Sequence, residues 1–105
     1  MSKGVSDLGR FSDPALFILT SLAGGEKHGY AMMEDIETLS GVRLGPGTLY
    51  GALARLEGRR LIEALDTEDR RRPYRLTSAG ARALQERLAS LESFAVAGLR
   101  RLAAS

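Results

Sequence analysis

Apolar residues fall along the chain in blocks, and their spacing changes character from one block to the next. From Ala15 to Ala23 (ALFILTSLA) nearly every position is apolar, which predicts a helix buried on more than one side. Asp13-Pro14 supplies a cap and a first-turn proline ahead of it, and Gly24-Gly25 ends it. A second helix is expected from His28-Gly29 to Ser40-Gly41, with Met32 or Met33, Ile36 and Leu39 inward and Glu34, Asp35 and Glu37 outward. After a brief extended link (Val42 to Leu44), Gly45-Pro46 opens a third helix. Leu49, Leu53 and Leu56 recur at i, i+4 and i+7 on its inner face, with Ala52 beside them. On its outer face fall Thr48, Gly51 and Arg55. Gly47 and Gly51 each cost about 1 kcal/mol inside a helix and leave room for close approach from outside.

The period then shortens to two. Leu61 to Leu65 and Pro73 to Thr77 read as strands, joined by a polar hairpin connection containing Arg70, Arg71 and Arg72. Thr77 or Ser78 is expected to cap a last helix carrying Leu84, Leu88, Leu91, Ala95, Gly98 and Leu102, a heptad-type seam with Phe94 and Leu99 on its flank. A seam of that length on so small a chain points to a partner chain. The fold expected is mainly α with a small β-hairpin wing: a winged helix-turn-helix plus a long C-terminal dimerisation helix. Its parts are an arm or short helix over 1–12, a winged helix-turn-helix over 13–77 and the terminal helix over 78–105.

Composition narrows the chemistry. At 105 residues the chain suits one domain. It has no cysteine and one histidine, so neither a disulfide framework, a thiolate centre nor a histidine-cluster metal site is expected; no cofactor is called for. The nine-residue apolar run is about half of the roughly 20 residues that span a bilayer. The first ten residues lack a signal peptide's apolar stretch, so a cytoplasmic location is expected. No Ser-His-acid set or phosphate loop suggests an enzyme. The net charge of +2 is too small to name a partner, but it is unevenly placed. Between Glu26 and Glu37 four acids face one lysine, whereas between Arg43 and Arg75 eight arginines face five acids.

The ordered set His28-Gly29-Tyr30, GlyProGlyThrLeuTyr (45–50), AlaLeuAlaArgLeuGlu (52–57), LeuIle (61–62) and TyrArgLeuThrSerAlaGly (74–80) resembles the PadR-type transcriptional regulators. The likeness is to the short branch with a single C-terminal helix, and it covers about residues 14–102. It implies a dimeric DNA binder, usually a repressor on a palindromic operator, with a small aromatic or drug-like effector at the dimer centre in some members. Three departures stand out. Gly45 replaces a frequent capping serine, Arg60 replaces a glycine before the wing, and the tryptophan of drug-sensing members is missing, with Phe94 as a partial substitute.

On this reading double-stranded DNA is met by Gly47, Thr48, Gly51 and Arg55 on the third helix, Tyr30 and Tyr50 near helix starts, and Arg70, Arg71 and Arg72 on the wing. Phe11, Phe17, Leu84, Leu88, Leu91, Phe94, Ala95 and Leu102 are expected at the dimer interface, and Phe11, Leu91 and Phe94 around an effector. His28 is expected at the surface or as a cap. The alternative is a winged-helix protein-interaction module that does not bind DNA.

Overall fold

A computed structural model describes residues 12–67 and 71–105. The order is helix α1 (Pro14–Ala23), strand β1 (Lys27–His28), helix α2 (Gly29–Ser40), helix α3 (Pro46–Gly58), strands β2 (Ile62–Ala64) and β3 (Pro73–Leu76), and helix α4 (Ser78–Ala104). Ile18 of α1, Met32 and Ile36 of α2, Leu49 and Leu53 of α3, and Ile62 of β2 are fully buried, so the core sits where these elements meet.

Each helix starts as local chemistry dictates. Asp13 caps α1, its Oδ1 accepting the Leu16 N–H at 3.1 Å, while its Oδ2 accepts from Arg87 Nη2 of α4 at 3.0 Å. Lys27 Nζ donates to the carbonyls of Ser21 (2.5 Å) and Gly25 (3.0 Å), placing a cation where the helix dipole is negative. Ser21 is the one buried polar residue among those described; its hydroxyl donates to Asp35 Oδ2 at 2.6 Å and ties α1 to α2. The His28 ring caps α2, with Nδ1 accepting the Ala31 N–H at 3.3 Å. Gly45 stands at the N-cap of α3 and offers no side-chain bond.

The junction between α3 and the wing is tightly built. The Arg60 N–H bonds to the Glu57 carbonyl at 2.9 Å and the Leu61 N–H to the Leu56 carbonyl at 3.0 Å, the paired bonds of a Schellman motif. Such a motif turns through a left-handed residue, and here that residue is Arg60, at φ 62°. Thr77 closes the junction from the other side. Its hydroxyl donates to the Arg60 carbonyl at 2.8 Å and accepts the Gly80 N–H at 3.0 Å, while its own N–H bonds to the Leu61 carbonyl at 3.1 Å. Helix α4 passes so close to Leu61 that a Cβ on Gly80 would overlap the Leu61 carbonyl oxygen.

The sheet is antiparallel in the order β1-β3-β2, with Lys27 opposite Tyr74 and His28 opposite Pro73 on one side of β3. Ile62, Glu63 and Ala64 oppose Leu76, Arg75 and Tyr74 on the other. The sequence reading expected only β2 and β3. Two residues next to Gly24-Gly25 carry no alternation, so β1 leaves no signal before β3 pairs with it.

Two further placements differ from expectation. The helical period puts Leu39 on the inner stripe of α2, but it is 59% exposed, because α1 and α3 cover the Met32–Met33–Ile36 face and leave Leu39 at its edge. Leu84 and Phe17, expected at a dimer contact, are core residues of the chain itself, since the first turns of α4 pack on α1. Leu91 is partly buried against the same core. Beyond it the helix projects past the body, and Phe94, Leu99 and Leu102 are largely exposed. Phe11 lies outside the described residues. No described helix is long and apolar enough to cross a membrane.

Candidate nucleic-acid interface

Helix α3 turns Leu49, Ala52, Leu53 and Leu56 into the core, and the opposite face is thereby fixed outward. Thr48 and Arg55 are exposed on it. The two glycines on that side have no reason inside the chain. A Cβ on Gly47 would meet nothing within 4 Å, and one on Gly51 would meet only the Arg55 Nη1 at 3.7 Å. A helix that accepts the conformational cost of glycine without using the space internally leaves its backbone open to something outside.

The start of α2, the start of α3 and the base of the wing enclose a cleft of about 480 Å3, lined by His28, Gly29, Tyr30, Tyr50, Arg71, Arg72 and Tyr74. Tyr30 and Tyr50 are about half exposed, so they belong to this surface and not to the core. Tyr74 is partly buried. Burial pushes its phenol above the usual value, Glu57 and Tyr50 add to the rise and Arg72 opposes it, so the hydroxyl keeps its proton at neutral pH and remains a donor. Arg75 and Glu63 pair across the outer face of the wing at 2.6 Å, and the bond to Glu63 raises the Arg75 guanidinium further. At the edge of α2, Arg43 is held by Glu37 at 3.0 Å.

The structure therefore brings Tyr30, Tyr50, Arg71 and Arg72 together around one cleft and sets Gly47, Thr48, Gly51 and Arg55 on the outer side of α3. Arg70 lies outside the described residues. In the sequence Tyr74 stands out as a strand residue and Gly29 as a helix start, both also within the resemblance. Neither was named for the cleft, because the contact that unites them forms between elements distant in the chain.

Helices α2 and α3, backed by α1 and flanked by a β-hairpin, define a winged helix-turn-helix domain, a class built to present one helix to a DNA groove. The sequence profile of the Transcriptional regulator PadR-like family matches residues 18–86, and the chain belongs to that family. It is 41% identical over 83 residues to the Transcriptional regulator Rv3488 of Mycobacterium tuberculosis, covering 76% of this chain and 77% of that one. It is 48% identical over 82 residues to an uncharacterized 37.1 kDa protein in transposon TN4556 of Streptomyces fradiae. That match takes in 78% of this chain but only 24% of the Streptomyces protein, so the chain spans about a quarter of its length. Among solved structures, a PadR family transcription regulator from Clostridium difficile R20291 shares the fold with a TM-score of 0.77 at 23% identity, over 85% of this chain and 97% of that one. Members of this family are transcriptional regulators and not enzymes.

Proposed function

We propose that the chain is a sequence-specific DNA-binding regulator that acts as a homodimer, a repressor at a palindromic operator. The observation that carries this reading is the open backbone of α3 at Gly47 and Gly51, next to Thr48 and Arg55. An α-helix fits the major groove, where a guanidinium reads guanine in bidentate fashion and a threonine methyl meets thymine. Wing arginines Arg71 and Arg72 suit backbone phosphates, which fix position without reading sequence. The apolar run Phe94, Leu99 and Leu102 beyond the body of the domain supports pairing with a second copy. Two copies of α3 would then enter major grooves about one turn, roughly 34 Å, apart.

A small aromatic effector fits the same scheme. An apolar groove of about 310 Å3 runs between α1, α2 and α4 past Phe17, Leu39, Leu88 and Leu91, and a second chain would roof it. A panel of flat aromatic compounds, scored for release of the bound duplex, tests that part separately.

The central test is binding-site selection followed by anisotropy titration. Gly51→Ala should raise the melting temperature, because alanine favours the helix by about 1 kcal/mol, yet weaken DNA binding by filling the approach. Arg55→Ala should relax sequence preference, and Arg71→Ala should weaken all sequences alike. Affinity should fall steeply between 50 and 200 mM salt, on the order of a thousandfold if six phosphates are neutralised. A chain that selects no duplex at low salt would instead be an interaction module.

A further inference from the structure

The end of α3, the base of the wing and the first turn of α4 are knotted together through backbone groups. The Leu61 carbonyl accepts the Thr77 N–H at 3.1 Å. The Thr77 hydroxyl donates to the Arg60 carbonyl at 2.8 Å while it caps α4 at Gly80. The Arg60 and Leu61 N–H groups return to the carbonyls of Glu57 and Leu56 at the end of α3. Gly80 closes the knot from the helix side. A Cβ there would overlap the Leu61 carbonyl oxygen and lie 2.9 Å from Leu76 Cδ1 and 3.0 Å from the Leu61 carbonyl carbon, so α4 rests directly on the wing backbone.

Further along, α4 is held by side chains. Leu84 and Leu91 pack on the core beside Leu16 and Phe17 of α1, and Arg87 pairs with Asp13 in an exposed bond of 3.0 Å. Packed side chains slide past one another by small shifts, whereas hydrogen bonds between backbone groups hold both length and direction. The angle at which α4 leaves the domain is therefore fixed at its first turn.

We infer that this junction sets the spacing of the two operator half-sites, with Thr77 and Gly80 as positioning residues. The inference rests on the DNA-binding homodimer proposed above. In that dimer α3 reads bases on one side of the knot, and the tail of α4 holds the second copy on the other. The angle between them then decides how far apart, and at what rotation, the two α3 helices meet the duplex. The lever is long. Leu84 lies about 6 Å along the helix from Gly80, and Leu99 about 22 Å beyond Leu84. Lifting α4 by roughly 1 Å to clear a Cβ at Gly80, with Leu84 as fulcrum, swings Leu99 by about 4 Å. That is close to one base-pair step in each protomer, about 3.4 Å.

The test is binding-site selection with the full chain on duplexes whose two half-sites are separated by spacers of varied length. The wild type should prefer one spacing and lose on the order of tenfold one base pair away, where the second half-site turns by roughly 34° around the duplex. Gly80→Ala should move the optimum by about one or two base pairs and keep the base preference within each half-site. Thr77→Val loosens the knot without an overlap, so neighbouring spacings should differ by less than about threefold. Thr77→Ser keeps the hydroxyl and should restore the wild-type profile. A purely structural role would instead lower affinity at every spacing alike. Wild-type optimum and discrimination in both Gly80→Ala and Thr77→Val overturn the inference and leave the DNA reading intact; where Gly80→Ala does not fold, the valine and serine variants decide. A wild type that accepts half-sites at any spacing also overturns it. A wild type that selects no duplex overturns both readings.

Discussion

Arg60→Gly should make the protein more stable, although it removes a charged side chain and inserts a poor helix former. The turn after α3 needs a left-handed residue, and Arg60 supplies it at φ 62°. Holding a non-glycine residue there costs roughly 1–2 kcal/mol. Glycine removes that cost but has more freedom to lose on folding, which returns about 0.5–1 kcal/mol. The Arg60 side chain is exposed, and only its backbone is used, in bonds to the Glu57 carbonyl and from the Thr77 hydroxyl. The net gain is therefore about 0.5–1 kcal/mol. For a chain of this size that is a rise of roughly 2–8 °C in melting temperature. Thermal unfolding followed by circular dichroism, at equal protein concentrations so that association does not bias the comparison, measures it. Arg60→Ala is the control: it keeps the Cβ and should show no such rise. Equal stabilisation by alanine would place the effect in the lost charge and refute the backbone argument, as would a glycine variant no more stable than wild type.

Three other outcomes follow from the same junction and from the terminal helix. Gly80→Ala should destabilise by about 1–3 kcal/mol in urea titrations, since overlap with the Leu61 carbonyl outweighs the helix preference of alanine; an unchanged midpoint would show that α4 can lift off the wing freely. Thr77→Val keeps the shape but loses the cap of α4 and the bond to the Arg60 carbonyl, and should cost about 1–2 kcal/mol by the same titration. Leu99→Glu should shift the chain to monomer in sedimentation velocity without lowering the stability of the wing, because Leu99 touches none of the core; retention of the dimer would move the interface elsewhere.

The helices were legible because their signals are local. Asp13-Pro14, Gly45-Pro46 and Thr77-Ser78 mark starts, and the leucines of α3 mark a face; of the last pair it is Thr77 that caps, as Asp13 does for α1. The outward set Thr48, Gly51 and Arg55 followed from that face without further information. What stayed hidden depends on contacts across the chain. Strand β1 exists only because β3 offers an edge, and Leu39 is exposed only because α1 and α3 meet α2 on its other side. The heptad spacing of α4 suggests one interface, yet the seam has two halves. Leu84 and Leu91 lean on the chain's own core, and the same stripe continues outward beyond them. Periodicity reports that a face is apolar, not what covers it.

That divided stripe has a thermodynamic consequence. The thirteen residues from Glu92 to Ala104 are helical but rest on almost nothing in the single chain. Isolated helices of this length are marginal in water, because nucleation is costly and few hydrogen bonds repay it. In the homodimer proposed above, ordering the end of α4 and meeting the second chain become one event. Dilution would then fray the tail and part the pair together, and operator occupancy would rise with the square of the protein concentration at low expression. In that proposed dimer, the apolar stripe beyond Leu91 would couple operator occupancy to how much protein has accumulated.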